Sequence, residues 1–463
     1  MVDEVDYLVV GSGASAMSFV DTMLAETDAT FVMIDRRAVP GGHWNDSYPF
    51  VRLHQPANTY GVNSRPLGHD RIETSGLNEG FLDLASGAEI TRYYHQLMNE
   101  VFLPSGRVRF YPLCEHVSGG EFVGLLSGEK HTVTIKKKLV DGTPLTTSIP
   151  LTHQRKFTID DDIECVPPND LPRLVSNHRH VTVLGGGKTA IDSVTWLLAN
   201  GFPANAITWV MPRDSWFFNR ASVQSGRQFL EVTMETIASR QELMATCTSA
   251  DDFSLGMEQA GSFLRIDKAV MPTMFHGAIV TCKDISEMQR VTDVLRKGHV
   301  QHITIEKMCL TDGEVASLHD TLYVDCTASA VATNINSQIP VFSPGKIALQ
   351  MIRLFQPCFS SALIAHIEAT VDNEEDKQNY TRPTPMVDTI TDWFREESKA
   401  MMNNFFWRQS PEISAWILSS RLDGFTALVT EAAPNSSALQ AILTRLGESR
   451  LKAFENISIL GKG

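Results

Sequence analysis

Apolar and polar positions change period twice along the chain in the same order. Tyr7–Val10 is a short apolar run; the turn GSGASA follows over Gly11–Ala16, and apolar residues then recur at helical spacing to about Leu24. A second apolar run, Thr30–Ile34, ends in Asp35. The pattern returns with His180–Leu184, the turn GGGKTA at Gly185–Ala190, and a helix carrying Ile191, Val194, Leu197 and Leu198. That helix closes at Asn200–Gly201, and strand Ile207–Met211 follows. Short apolar runs bounded by glycine predict buried strands, and the 3–4-residue spacing predicts helices. Each stretch therefore predicts a strand–turn–helix–strand unit.

The intervening pattern sets the domain plan. Residues 38–85 are rich in Gly, Pro, Asn and His and predict long irregular covering loops. A helix is expected over Ala88–Val101, with Ile90, Tyr94, Leu97 and Val101 on one face. Short alternating runs from Val108 to about Ile159 predict a small antiparallel insertion, and Pro167, Pro168 and Pro172 mark a linker. Segments from 225 to 300 read as helical. Strand Thr321–Thr327 is expected to return the chain to the first sheet, before a helix at Ser360–Thr370. The predicted fold class is α/β, with two Rossmann-like dinucleotide-binding domains, the second inserted in the first, and a helical C-terminal extension. Residues 1–170 form the first domain, 175–318 the second, 319–372 the return and 373–463 the extension, which holds Trp393, Phe405, Phe406, Trp407 and Trp416.

Composition narrows the function. The 463 residues carry a net charge of −14, which opposes nucleic-acid binding, since that needs a concentrated basic face. Met1–Asp6 has neither basic nor apolar leader character, and no apolar run reaches the roughly 18 residues of a membrane helix. The expectation is a cytoplasmic protein away from membranes. Seven scattered cysteines form no C-x-x-C pair, so neither a zinc site nor a dithiol centre is expected, and no metal. The aromatic extension leaves a homodimer open.

The turns carry the chemistry. In G-x-G-x-x-A the first glycine makes a tight turn, the second admits a pyrophosphate, and the small third residue lets helix pack on strand. Gly11, Ser12, Gly13, Ala14 and Ala16 fill this pattern, and the helix start offers unpaired N–H groups to phosphate. Asp35, with Arg36 beside it, stands where a carboxylate accepts from ribose hydroxyls. Downstream, PGGHW places Gly42, His43 and Trp44 in a loop suited to a bulky ligand, which favours FAD for this first site. The second turn offers Gly185, Gly187, Lys188, Thr189 and Ala190 but has no acid after its second strand. Arg213 and Arg220 follow instead and suit a 2′-phosphate, hence NADPH. The run GGGKT lacks the spacer of a triphosphate-binding loop, which removes a nucleotide triphosphatase. His54, in RLHQP, falls in the loop expected near the flavin and is the catalytic candidate.

The order G-x-G-x-x-A, acid, GGxW, then a second G-x-G-x-x-A and an Arg-bearing strand resembles the flavin-containing monooxygenases and their class B relatives. The motifs cover the first 220 residues, with RLHQP, PNDLPRL, GGGKTAID and WVMPRDSWFFNR, and more weakly the strand TLYVDCTAS. The resemblance implies hydride transfer from NADPH to FAD. Molecular oxygen then forms a flavin C4a-hydroperoxide that oxygenates a small organic substrate. One departure bears on this: the family's F-x-G-x-x-x-H-x-x-x-[WYF] fingerprint is absent from Pro167–His180. Two alternatives stay open, an FAD-dependent dehydrogenase or reductase with another acceptor, and a non-catalytic redox-sensing module.

Overall fold

The computed structural model describes residues 3–145, 148–329 and 339–462. Strand β1 (Asp3–Val10), helix α1 (Ala14–Glu26) and strand β2 (Phe31–Asp35) form the first expected unit. β1 and β2 are parallel, with Tyr7 opposite Phe31 and Val10 opposite Ile34. Every residue of β2 is buried, as in a sheet covered on both faces. Helix α2 (Gly87–Leu97) starts on a capping box of Ser86 and Glu89. Strands β3 (Val108–Pro112), β4 (Cys114–Ser118), β5 (Glu121–Gly124) and β6 (Lys130–Asp141) follow.

The expected antiparallel insertion is smaller than its pattern suggested. Among the described residues of this segment, only β4, β5 and the start of β6 pair antiparallel. β3 lies parallel to β2, and β6 runs parallel to β1 from Val133 to Asp141. β6 is long because its first residues serve the hairpin and the rest serve the central sheet. Strand Lys346–Ala348 adds parallel to β6 on its other side.

The second sheet places Asp293–Leu295, Ile207–Val210, His180–Leu184, Thr321–Asp325 and Cys165–Val166 side by side, all parallel. This corrects one expectation. Thr321–Asp325 does not return to the first sheet; it pairs with His180–Leu184. An apolar run buried on both faces announces a strand but not its neighbour. Among the described residues, the return is made by Lys346–Ala348 and helix Pro357–Thr370, while residues 330–338 of the expected return lie outside the described set. That helix packs along α1 in the first core, and Ser18 Oγ donates to the Cys358 carbonyl at 2.8 Å.

The C-terminal helices are stitched into both halves. In helix Ser437–Leu460, Leu439, Ile442 and Leu446 pack on Leu230, Met234 and Ala238 of helix Leu230–Thr246. Trp393 and Phe394 join Trp216, Phe218, Phe253, Phe263 and Phe275 in an aromatic core, while Trp407 and Trp416 belong to the first core. Phe405 stays exposed.

Candidate functional site

The two glycine turns are built in the same register. The Gly11 N–H donates to the Ile34 carbonyl at 2.8 Å, and the Gly185 N–H donates to Val210 at 2.8 Å. On the other side, the Gly142 N–H donates to Val10 at 2.8 Å and the Cys326 N–H to Leu184 at 2.9 Å. Even the closing side chains match. Asp141 Oδ1 accepts from Thr143 N and Oγ1 at 3.0 and 2.6 Å, and Asp325 Oδ1 accepts from Thr327 N and Oγ1 at 3.0 and 2.7 Å. The segment Asp141–Thr143 was missed in the sequence, although VDGT after one apolar run echoes VDCT after another. At Gly185, φ is +124° and a Cβ would stand 2.6 Å from the Cys326 oxygen, so only glycine fits.

Both helices start in the same way. Gly13 and Gly187 are the N-caps of α1 and of helix Lys188–Ala199, with φ of −77° and −87° that any residue adopts. Neither helix start has a side-chain cap or an acidic residue in its first turn. A Cβ on Gly187 would meet no atom within 4 Å, and one on Gly13 would meet only the backbone of Gly42, at 3.6 Å or beyond. Backbone strain and internal packing therefore do not require these glycines. Ala16 and Ala190 are buried against their strands, as the motif demands, with Ser12 buried and Ala14 half-buried between them.

Asp35 is placed differently from expectation. Its carboxylate turns into the loop, where Oδ2 accepts from Ser12 N at 2.6 Å and Ser12 Oγ at 2.7 Å, and Oδ1 accepts from Arg37 N at 2.8 Å. It braces the turn. Arg36 points outward and faces Glu115 at 3.7 Å.

The PGGHW loop lies directly on this turn. The Gly41 N–H donates to the Ser12 carbonyl at 2.9 Å, and Gly42 adopts φ +59° where a Cβ would be 2.9 Å from Gly13 Cα. His43 stacks on Trp44 with ring centroids 5.2 Å apart, and Trp44 Nε1 donates to Tyr60 Oη at 2.8 Å. Burial first, then the Arg37 charge, pushes the His43 imidazole down to about 4, against the opposing pull of Asp46.

Between the turns runs a polar seam. Tyr48 Oη donates to Asp192 Oδ2 at 2.6 Å, Lys188 pairs with the same carboxylate at 2.5 Å, and Phe50 stacks on Trp196 at 5.1 Å. Lys188 is thus held by Asp192 rather than left for phosphate, with Thr189 next to it beside the Tyr48 hydroxyl. His54 lies near Lys188 and Arg220, and its imidazole has no hydrogen-bond partner among the described residues. Burial, reinforced by Lys188 and then Arg220, holds it well below the ordinary histidine range, so the ring is neutral at pH 7.

Both arginines of the expected 2′-phosphate site are engaged by protein partners. Arg220 is buried, donating to the His54 carbonyl at 2.6 Å and the Ile279 carbonyl at 3.1 Å, with Nε unpartnered among the described residues. Arg213 does stand at the strand end: its carbonyl would be 2.7 Å from a Cβ on Gly186. Its guanidinium, however, reaches Asp388 at 2.8 and 3.0 Å and Thr273 O at 2.6 Å. His276 Nε2 meets the same Asp388 carboxylate at 2.8 Å. Sequence separation hid this partner. The aromatic residues Tyr60, Trp216, Phe217, Phe218 and Phe359 are buried core.

No helix among the described residues is long and apolar enough to cross a membrane. No protein-family model matches the chain. Among solved structures it resembles the closed form of cyclohexanone monooxygenase, at 13% identity and a TM-score of 0.49 over 98% of this chain and 99% of the other. It also resembles a flavin monooxygenase from Stenotrophomonas maltophilia, at 12% identity and a TM-score of 0.48 over 80% of this chain and 100% of that one. A probable FAD-binding monooxygenase, AlmA of an Acinetobacter species, is 29% identical over 102 residues, 22% of this chain and 18% of its own. Much fuller matches are the uncharacterized proteins Rv2000 of Mycobacterium tuberculosis and Mb2023 of Mycobacterium bovis. Each is 39% identical over 420 residues, 91% of this chain and 78% of the relative. The chain belongs to the family of these mycobacterial proteins.

Proposed function

We propose that this protein is an FAD-dependent oxidoreductase reduced by NADPH, with FAD on the Gly11–Ala16 turn and the nicotinamide nucleotide on the Gly185–Ala190 turn. The observation that carries the reading is the matched pair of turns, each with a helix start that no side chain caps and a glycine that its own φ does not require. When bound, FAD accepts a hydride from the reduced nicotinamide and passes its electrons to an acceptor. In the monooxygenase reading that acceptor is molecular oxygen, and a small organic substrate is oxygenated.

The chain's own part is placement and dryness. Ser12, Asp35 and Gly41 fix the first turn, and His43 and Trp44 wall the loop beside it. Tyr48 and Asp192 hold the second turn against that loop. The neutral His54 ring, backed by the Arg220 guanidinium on its carbonyl, is the one catalytic candidate in the seam; it accepts or donates a hydrogen bond without carrying charge.

The test is spectroscopic. Purified protein should carry about one FAD per chain, and NADPH should bleach it without oxygen. Consumption of oxygen with an oxygenated product supports the monooxygenase. Reoxidation that yields only hydrogen peroxide supports a reductase with another acceptor. A yellow protein that NADPH does not bleach overturns the assignment and favours a redox-sensing module.

A further inference from the structure

Arg213 lies three residues beyond strand Ile207–Val210, beside the second turn, and its side chain is about one-third exposed. By register Met211 takes the place that Asp35 holds in the first domain, and Arg213 the place of Arg37, because Val210 and Ile34 bond the equivalent glycines. A second basic side chain, His276, converges on the same point. What fills the point is a carboxylate from a segment 175 residues away in sequence, Asp388, itself partly open to solvent.

We propose that Asp388 is an internal stand-in for the nucleotide 2′-phosphate, occupying the anion subsite of Arg213 and His276 until NADPH displaces it. This rests on reading the second turn as the nicotinamide-nucleotide site. A carboxylate offers Arg213 the same charged acceptor oxygens as a phosphate, so the two compete for one guanidinium. Burial alone would raise the Asp388 carboxyl, but the bonds from His276 and Arg213 outweigh it and hold the group ionised. The segment can release its side chain without unravelling. The Asp388 carbonyl still accepts from the Phe275 N–H at 2.8 Å, and the following helix is capped independently by Thr389 and Asp392. The consequence is that Asp388 lowers the affinity for 2′-phosphorylated nucleotides and leaves their unphosphorylated counterparts untouched.

The full chain is titrated calorimetrically with adenosine 2′,5′-bisphosphate and with AMP. Removing one charged competitor in Asp388→Asn should tighten the bisphosphate about 10-fold or more and leave AMP within about 2-fold. Asp388→Ala, which lacks even a neutral acceptor, should do the same. Adding Arg213→Ala should erase the gain. If the bisphosphate is unchanged, or both ligands change equally, while Gly187→Val abolishes AMP binding, the stand-in role is wrong and the nucleotide site survives. If folded wild type and variants bind neither ligand, the site reading itself fails and the inference with it.

Discussion

Tyr48 and Asp192 meet at 2.6 Å, a phenol from the loop after the first glycine turn and a carboxylate from the helix of the second. Because Asp192 also pairs with Lys188, this bond ties the loop beside the first turn to the helix start of the second. A hydrogen bond to a charged group is worth about 1.5–3 kcal/mol. Tyr48→Phe should therefore lower stability to urea by about 1–2 kcal/mol, the cost being moderated by the ring that remains against Phe50. FAD content should hold while nucleotide affinity falls. Parallel loss of both ligands would show that the bond serves folding alone.

Gly187→Val tests occupancy of the second turn. The φ of −87° suits valine and its Cβ would touch nothing, so the change should cost no more than about 1 kcal/mol as an altered N-cap. Bound FAD should stay at the wild-type ratio. AMP binding and reduction by NADPH should vanish. Wild-type affinity in a folded Gly187→Val protein would place the nucleotide elsewhere.

At the first turn, Gly42→Ala and Gly76→Ala form a pair. Both sites have left-handed backbone, at φ +59° and +77°, which costs an alanine about 1–2 kcal/mol. Only at Gly42 does the added carbon strike backbone, 2.9 Å from Gly13 Cα, whereas at Gly76 it meets nothing within 4 Å. Gly42→Ala should purify colourless and Gly76→Ala yellow. Equal flavin content in the two would mean the loop does not shape the FAD site.

His43 and His54 give a signed pH dependence. Both imidazoles titrate below their unfolded value, so on acidification the unfolded chain takes up protons first. Their contribution is present above about pH 6.5 and is lost as pH falls below it, for His43 down to about 4. The His43 slope is at most about 1.4 kcal/mol per pH unit, and less because the ring is only half-buried. Urea midpoints of His43→Asn and His54→Asn should depend less on pH between 6.5 and 4 than those of wild type. An unchanged slope would show that the rings titrate normally.

What could be read from the chain was local. The glycines at 11, 13, 185 and 187, the apolar runs beside them and the helices after them lie within a few residues of one another, and the structure builds both units as expected. Partner choice was not local. Thr321–Asp325 has the pattern of a buried strand in either sheet, and β6 serves two pairings along one run. Side-chain destinations were harder still. Arg213 was placed correctly at its strand end, but the carboxylate that takes its charge lies in another part of the chain. Asp35 was the acid expected at the end of β2, yet a short side chain with Ser12 and Arg37 amides in reach turns inward.

The contact between Ser18 and Cys358 spans 340 residues, and it sets an order of events during synthesis. At about 5–20 residues per second, α1 leaves the ribosome roughly 20–70 s before the helix that covers its apolar face. The second sheet needs no strand beyond Asp325, so it completes while the first still lacks Lys346–Ala348. The sheet begun first is then the sheet completed last. Nascent chains stalled with residue 340 just outside the tunnel should resist protease over the second sheet at 180–210 and 293–325 and be cut within 3–145. Equal protection of both regions would show that the first sheet closes without its final strand.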